Sequence, residues 1–306
     1  GGFQVFSLAY GSIADERKSG GSGKAIAREE RDGSTDTASV KRQKRPQFGG
    51  NNVMSISEDG VKFRSYRDGN VLLLTPESSI QAQKQLGADV IIPLDELPPH
   101  HISRRTLRDS FDRTHRWQER SLAQHLANPN QQAIFGVVHG GTDVHLRRES
   151  VNMLSKMGFD GFAIGGSLGK DEEDVYEVTR ATMEAIEDRE KPVHLLGIGD
   201  LPSIARAVPL GVDTFDSSYP TRAARHGNLY TAEGLVSVRK AQYREDFTPV
   251  DRNCGCSTCR NHTRAYLHHL LKAHEPSFAQ LATVHNLHFY HSTMLAFRRA
   301  ILRDLI

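Results

Sequence analysis

The feature that most constrains this chain is a rhythm of short apolar runs, each ending in polar residues or glycine and separated from the next by helical patterning. Residues 90–95 form one such run and end in Asp95. Residues 134–141 form a second, ending in His139 and a Gly-Gly pair. Residues 161–166 form a third, ending in Gly165-Gly166. Residues 194–199 and 212–216 complete the series, the last ending in Asp216. Strands alternating with helices imply a parallel sheet. Barrels build their sites across many strand ends, whereas an open doubly wound sheet gathers its site at one switch point. Chemistry-bearing residues at several strand ends therefore predict an α/β class fold, a (β/α)8 TIM barrel. The opening Gly1-Gly2-Phe3-Gln4-Val5-Phe6 reads as the inside of a further strand. The remaining strands are expected upstream, so the barrel is incomplete at the N-terminus here.

Local signals divide the rest. Residues 1–13 are expected to start the barrel. Residues 14–52, rich in Ser, Gly, Lys, Arg and Glu, offer little apolar surface and are expected to be a disordered insertion. Alternating Val61, Phe63 and Ser65 predict a strand over 56–65. Asp68-Gly69 predicts a tight turn, with the return strand at 71–74. Thr75-Pro76-Glu77 predicts a helix start with Thr as N-cap. Leu146, Met153, Leu154 and Met157 predict a helix closing at Gly158, and Val175, Val178, Thr182 and Ile186 predict another. The basic stretch from Arg104 to Arg120 reads as a solvated helix face, with contact to a nucleic acid as the alternative. Residues 53–240 are the expected barrel core. On the final helix, Tyr290, Met294, Phe297 and Ile301 are spaced for one face and read as core packing.

All three cysteines fall within six residues, Cys254-Gly-Cys256-Ser-Thr-Cys259. Soft thiolates converging on one point suit Zn²⁺. A disulfide framework would need more cysteines and a secretory context, so a structural zinc in a reduced compartment is the expectation. The fourth ligand has several candidates in the chain that follows: His262, His268, His269, His274 and His285. Residues 241–306 are therefore read as a zinc-binding subdomain with a C-terminal helix. A net charge of +2 does not by itself argue for nucleic acid, and no apolar run is long enough to span a membrane.

Asp95 and Asp216 are acids ending apolar strands, where a carboxylate is costly to bury unless it is used. With His139 and the Gly-Gly pairs they form a candidate site, since glycine lets backbone amides approach a ligand closely. Arg222 and Arg225, three apart and just after Asp216, suit an anionic partner such as a nucleic-acid backbone.

These residues carry a resemblance. The chain resembles bacterial-type tRNA-guanine transglycosylases (queuine tRNA-ribosyltransferases) and is similar to the chlamydial branch. The anchors are Gly1-Gly2-Phe3-Gln4-Val5-Phe6-Ser7-Leu8, Ile56-Ser57-Glu58-Asp59-Gly60-Val61, the run from Gly158 to Gly166, Phe215-Asp216 with Pro220-Thr221-Arg222, Arg264-Ala265-Tyr266-Leu267, and His285-Asn286. The resemblance implies exchange of the wobble guanine in GUN-anticodon tRNAs for a 7-deazaguanine, preQ1 or queuine, in queuosine modification. It implies that Asp216 is the nucleophile, forming a covalent ribose intermediate, and that Asp95 reads the base edge. Phe3 would stack on the base, and Gly166, Leu196 and Gly197 would line its pocket with His139. Arg222 and Arg225 would hold the tRNA anticodon loop. Cys254, Cys256, Cys259 and His285 would hold the structural Zn²⁺. It further implies a homodimer in the cytoplasm.

Departures from the family pattern bear on these implications. The family's Thr-Asp-Ser, which supplies an expected acid/base group, would precede Gly1. His139 stands where Gln is usual, and Ser217 where Cys is common. The loop after Gly166 is one residue shorter, placing Lys170 near an expected Glu that reads the aminomethyl group of preQ1. A Lys there would repel that charge, which leaves room for queuine or another base. The alternative reading is a non-catalytic or decayed tRNA-binding subunit of the same family.

Overall fold

The computed structural model describes residues 53–65, 67–98 and 102–306. Phe3 and the segments 1–13 and 14–52 lie outside the described residues. The chain divides into two compact units, Gly1–Pro192 and Val193–Ile306.

The first unit begins with a three-stranded antiparallel sheet: β1 (Val53–Ser57), β2 (Gly60–Arg64) and β3 (Val71–Leu74). The single strand expected over 56–65 is instead a hairpin that turns at Glu58-Asp59. The cause lies at Gly60, which adopts φ +147 where a Cβ would fall 2.2 Å from the Leu74 carbonyl oxygen. The second turn is as expected, with Gly69 at φ 75 and the Asp68 carboxylate accepting from the Asn70 N–H at 3.2 Å. Val61 packs with Leu94 and Trp117 in a small core, and the Trp117 indole N–H donates to the Glu58 carbonyl at 2.9 Å.

Helix α1 (Pro76–Leu86) starts as its sequence predicts: Thr75 caps it, Ser78 closes the capping box, and Pro76 occupies the first turn. The strand expected over 90–95 pairs only at β4 (Val90–Ile91). Pro93 has no N–H to give a ladder. The Ile92 N–H and C=O are taken by the Gln83 amide, both at 2.9 Å. Helix α2 (Arg104–Leu126) carries the basic stretch. Four of its arginines are ion-paired: Arg108 with Asp112 and Glu149, Arg113 with Glu96, Arg116 with Glu58, and Arg120 with Glu77.

Next come β5 (Ala133–Val138), α3 (Val144–Ser155), β6 (Gly161–Ile164) and α4 (Glu172–Ala185). Strands β4, β5 and β6 are parallel and lie in chain order, with Val90 opposite Ala133 and Phe135 opposite Gly161. Nearly every β5 and β6 side chain is buried, as befits a parallel sheet covered on both faces. Helix α3 stops at Ser155 with Lys156 in the right-handed region, not at Gly158, which does not adopt a positive φ. The face expected for α4 is buried at Val175, Val178 and Thr182, and Ile186 just beyond it is also buried.

The second unit opens with parallel strands β7 (Val193–Leu195) and β8 (Thr214–Phe215), joined through α5 (Leu201–Ala207). Helix α6 (Tyr219–Arg225) follows, then the hairpin β9 (Asn228–Thr231) and β10 (Gly234–Ser237). Helices α7 (Ser257–Asn261), α8 (Arg264–Lys272) and α9 (Pro276–Ile301) complete it. Ala224, Leu229, Val238, Val250, Leu267, Leu270, Phe278 and Ala282 form its core, together with Cys256 and Cys259. Of the late α9 residues expected to pack, Tyr290, Met294 and Phe297 are half-buried and Ile301 is 48% exposed, while the fully buried residues of α9 are Phe278, Ala282, His285 and Asn286. Tyr290 packs edge-on against Tyr230 at 5.2 Å, and burial falls away toward the end of the helix. Among the described residues no helix is long and apolar enough to cross a membrane.

The α/β expectation holds: each parallel strand is followed by a helix before the next strand, in both units. One buried side chain completes the sheet. Beyond its short pairing with β4, strand β5 has a bare edge at Val137, and the Gln118 amide meets it, donating to the carbonyl at 2.9 Å and accepting the N–H at 2.6 Å. Replacing Gln118 by Leu keeps the bulk and strands both backbone groups. The expected cost is about 2–4 kcal/mol, read as a lower urea midpoint at unchanged slope.

Candidate functional site

In the first unit the strand ends hold a buried acid and histidine. Asp95 follows β4 and His139 follows β5; the His139 Nε2 lies 3.0 Å from the Asp95 Oδ2, with the two side chains 1% and 8% exposed. The His139 backbone N–H donates to the Ser150 hydroxyl at 3.0 Å, and Ser150 also meets the His115 ring at 2.9 Å. Burial holds His115 neutral, its pKa pushed down to about 4. Gly166 sits beside this pair at φ +76; a Cβ there would lie 3.3 Å from the Arg147 Nη2 and 3.6 Å from the His139 Nδ1. The structure therefore brings Asp95, His139 and Gly166 together.

What fixes them is Arg147, on the first turn of α3 and fully buried. Its guanidinium donates to the carbonyls of Val138 (2.9 Å), Gly141 (2.8 Å), Gly165 (2.7 Å) and Ser167 (3.2 Å). One side chain thus ties the loop after β5 to the loop after β6. Burial lowers its pKa to about 9, so the group remains a cation at neutral pH, and its hydrogen bonds all go to carbonyls. A sequence signal existed for it. Arg147 lies on the same helical stripe as Ser150, Val151 and Leu154, all buried, where an ordinary arginine would face water.

The second unit places Asp216 just after β8 and Gly197 just after β7. The Gly197 N–H donates to the Asp216 Oδ1 at 2.8 Å. His194, on β7, reaches the same Oδ1 with its Nε2 at 3.0 Å, and its Nδ1 lies 2.8 Å from the Thr214 hydroxyl. The His194 hydrogen bond, with that of Gly197, holds the Asp216 carboxyl below the ordinary carboxylate range against the opposing effect of burial. Asp216 is thus an anion at neutral pH with 59% of its side chain exposed. Leu196 adjoins Gly197 and is half-buried. Arg222 and Arg225 lie on α6, both exposed, with the Arg222 guanidinium over the Tyr219 ring at 5.7 Å. His194 and Thr214 were not anticipated from sequence, because their meeting depends on the parallel register that sets them opposite each other.

The second unit also holds Cys254, Cys256, Cys259 and His285, whose ligand atoms all lie within 4.8 Å of one another. Each sulfur is 3.3–3.7 Å from the His285 Nδ1. A tetrahedral ion bound to sulfur and imidazole spaces those atoms by about 3.6 Å. The His285 Nε2 lies 2.7 Å from the Tyr230 carbonyl, to which its N–H donates, so the Nδ1 lone pair faces the sulfurs. Burial lowers the His285 pKa and keeps the ring neutral, as a ligand must be. Burial also raises the Cys254 and Cys259 thiols, so thiolates here need a cation. The donor set thus fits a metal ion. His285 and its neighbour Asn286 act together. The Asn286 amide donates to the carbonyls of Pro220 and Asn228, both at 3.0 Å, and accepts from the Tyr230 N–H at 3.2 Å. That pins α9 to α6 and β9.

Comparison with known proteins gives the family this chain is similar to. The profile of the family described as queuine tRNA-ribosyltransferase matches residues 22–306. A queuine tRNA-ribosyltransferase of Protochlamydia amoebophila is 53% identical over 306 residues, all of this chain and 73% of that protein. The protein of the same name from Chlamydia trachomatis serovar L2 is 46% identical over 307 residues, 100% of this chain and 76% of that protein. One from Chlamydia caviae is 45% identical over the same span.

The metal cluster makes a direct expectation. Purified protein carries one equivalent of metal per chain by elemental analysis, and Cys259→Ser or His285→Ala loses it. Bound metal is lost as pH falls, because each thiolate must be reprotonated to release it, and uptake at neutral pH releases protons. Metal-stripped protein melts at a lower temperature.

Proposed function

The chain belongs to the queuine tRNA-ribosyltransferase family, and we propose that it exchanges the wobble guanine of GUN-anticodon tRNAs by double displacement at the ribose C1′, with Asp216 as the nucleophile. It is a pentosyltransferase of the tRNA-guanine transglycosylase type. The observation that carries the residue assignment is Asp216 itself: an ionised, outward-facing carboxylate at a parallel-strand end, held through one oxygen among the described residues.

In the first half-reaction a carboxylate oxygen of Asp216 bonds to C1′, and the C1′–N9 bond breaks with its electron pair leaving on guanine. In the second, N9 of the incoming 7-deazaguanine attacks C1′ and the carboxylate leaves. The incoming base loses its N9 proton and the departing guanine gains one, so no net proton is consumed. A retaining glycosidase divides its barrier in the same way. The target nucleotide must be turned out of its stack to reach the acid.

Asp95 and His139 suit recognition of the base edge. Guanine presents two donors, N1–H and its amino group, beside the O6 acceptor. A carboxylate takes the donors, and the His139 ring, 3.0 Å from Asp95, holds that carboxylate in place. A 7-deazaguanine has the same edge, so both bases fit. Gly166 would line this pocket and Phe3 would stack on the base. Arg222 and Arg225 would grip phosphates of the anticodon loop; their exposure and freedom from carboxylates among the described residues support that.

We read the metal as a structural Zn²⁺ held by Cys254, Cys256, Cys259 and His285. When bound it supplies charge balance to three thiolates and takes no part in the exchange. The protein works as a homodimer in the cytoplasm, where tRNA and reduced thiols coexist. Apolar residues exposed along α9, Leu287 (47%), Leu295 (39%) and Ile301 (48%), are a surface a second copy would cover.

The test is incorporation of labelled guanine into a GUN-anticodon tRNA. Asp216→Asn is expected to abolish exchange and the denaturation-resistant protein–tRNA adduct; retained exchange would overturn the assignment. Asp95→Asn is expected to raise KM for the base by about tenfold or more, since one lost charge-assisted hydrogen bond is worth about 1.5–3 kcal/mol.

A further inference from the structure

Resting on the transglycosylase reading, we propose that His194 is a positioning residue for Asp216: with the Gly197 N–H it holds Oδ1, and so leaves Oδ2 as the atom that bonds to C1′. Both donors converge on one carboxylate oxygen, at 3.0 and 2.8 Å, and Oδ2 accepts no hydrogen bond among the described residues. Two donors on one oxygen fix the rotation of the carboxylate about its Cβ–Cγ bond. The reacting oxygen then meets its target in one orientation, which is worth far more than its basicity in a displacement of this kind.

The contact is built into the sheet. His194 and Thr214 are partners in the parallel ladder of β7 and β8, so their side chains emerge together on one face. Asp216 lies two residues beyond Thr214 and returns to that face. Against an ionised Asp216 the His194 Nε2 presents its N–H, and the Nδ1 pairs with the Thr214 hydroxyl at 2.8 Å. Thr214 thereby orients the ring, and the ring orients the acid. The His194 side chain is 17% exposed against 59% for Asp216, so the donor is fixed by its surroundings while the acid projects.

The hold serves both half-reactions. When Oδ2 bonds to C1′, Oδ1 becomes the carbonyl oxygen of the ester. When the ester breaks, negative charge returns to the carboxylate and meets donors already in place, as at an oxyanion site. A pairing this exposed contributes little to folding, so a structural role alone would leave catalysis nearly intact.

The experiment compares zinc-loaded wild type with His194→Ala, His194→Gln and Thr214→Val in the labelled-guanine assay, with adduct formation followed on denaturing gels. His194→Ala is expected to lower kcat by about 10–100-fold with KM for tRNA within about twofold, and to slow adduct formation equally. His194→Gln, whose amide N–H reaches the position of Nε2, is expected to recover at least about tenfold of that loss. Thr214→Val keeps the volume and is expected to lose kcat by several-fold. A kcat for His194→Ala within twofold of wild type would overturn the assignment, and so would equal impairment of the Ala and Gln variants. Should His194→Ala fail to fold, a Thr214→Val variant with wild-type kcat would overturn it. Absence of exchange in the wild-type protein itself would overturn the transglycosylase reading instead, and this assignment with it.

Discussion

A parallel strand that stops leaves backbone N–H and C=O groups with no ladder to join, and a buried group left unpaired costs as much as a lost hydrogen bond. This chain meets that constraint with side chains, because its parallel strands are only two to six residues long. At the start of β5, the Asp160 carboxylate accepts from the Ile134 N–H at 2.8 Å. At the start of β7, Asp213 does the same for Val193 at 2.7 Å. Gln83 and Gln118 serve β4 and β5 with both ends of their amides. At the finishing ends of β5 and β6, Arg147 gathers the carbonyls.

The candidate sites follow from the same constraint. Where Arg147 draws two glycine loops together, it also sets the backbone around His139 and Gly166. Asp216 stands at the finishing end of β8 and takes the N–H of Gly197 beyond β7, so completing the backbone and presenting an acid are one act. In the second unit the metal cluster extends the chain of support. His285 is held between three sulfurs and the Tyr230 carbonyl, and Asn286 next to it carries the carbonyls of Pro220 and Asn228. The α6 segment with Arg222 and Arg225 is thereby referenced to the metal site rather than to a flexible loop.

Much of this was legible in the residues. The alternation of apolar runs and helical patterns gave the α/β class, since burial on both faces demands continuous apolar strands. Thr75-Pro76 and Asp68-Gly69 announced a helix start and a turn because caps and positive φ act over a few residues. The misreadings share a cause. The strand expected to reach Asp95 ends at Ile91, the helix expected to close at Gly158 ends at Ser155, and Ile301, expected to pack, is exposed. Each depends on what lies across from the segment, which a local pattern does not contain.

The sequence by itself determined the elements and the reactive types. Three thiols within six residues, acids at strand ends and a pair of arginines after the last of them follow from spacing along one strand or loop, where neighbours in sequence are neighbours in space. Spacing alone left several histidines open as the fourth ligand; the resemblance named His285, and the tertiary structure brings it to the sulfurs from 26 residues beyond Cys259. Tertiary structure alone decided that a solvent-type arginine would be buried as Arg147, and that His194 would meet Thr214 and Asp216. Those contacts are fixed by strand register and helix packing, which arise only when the apolar faces of distant segments are buried together.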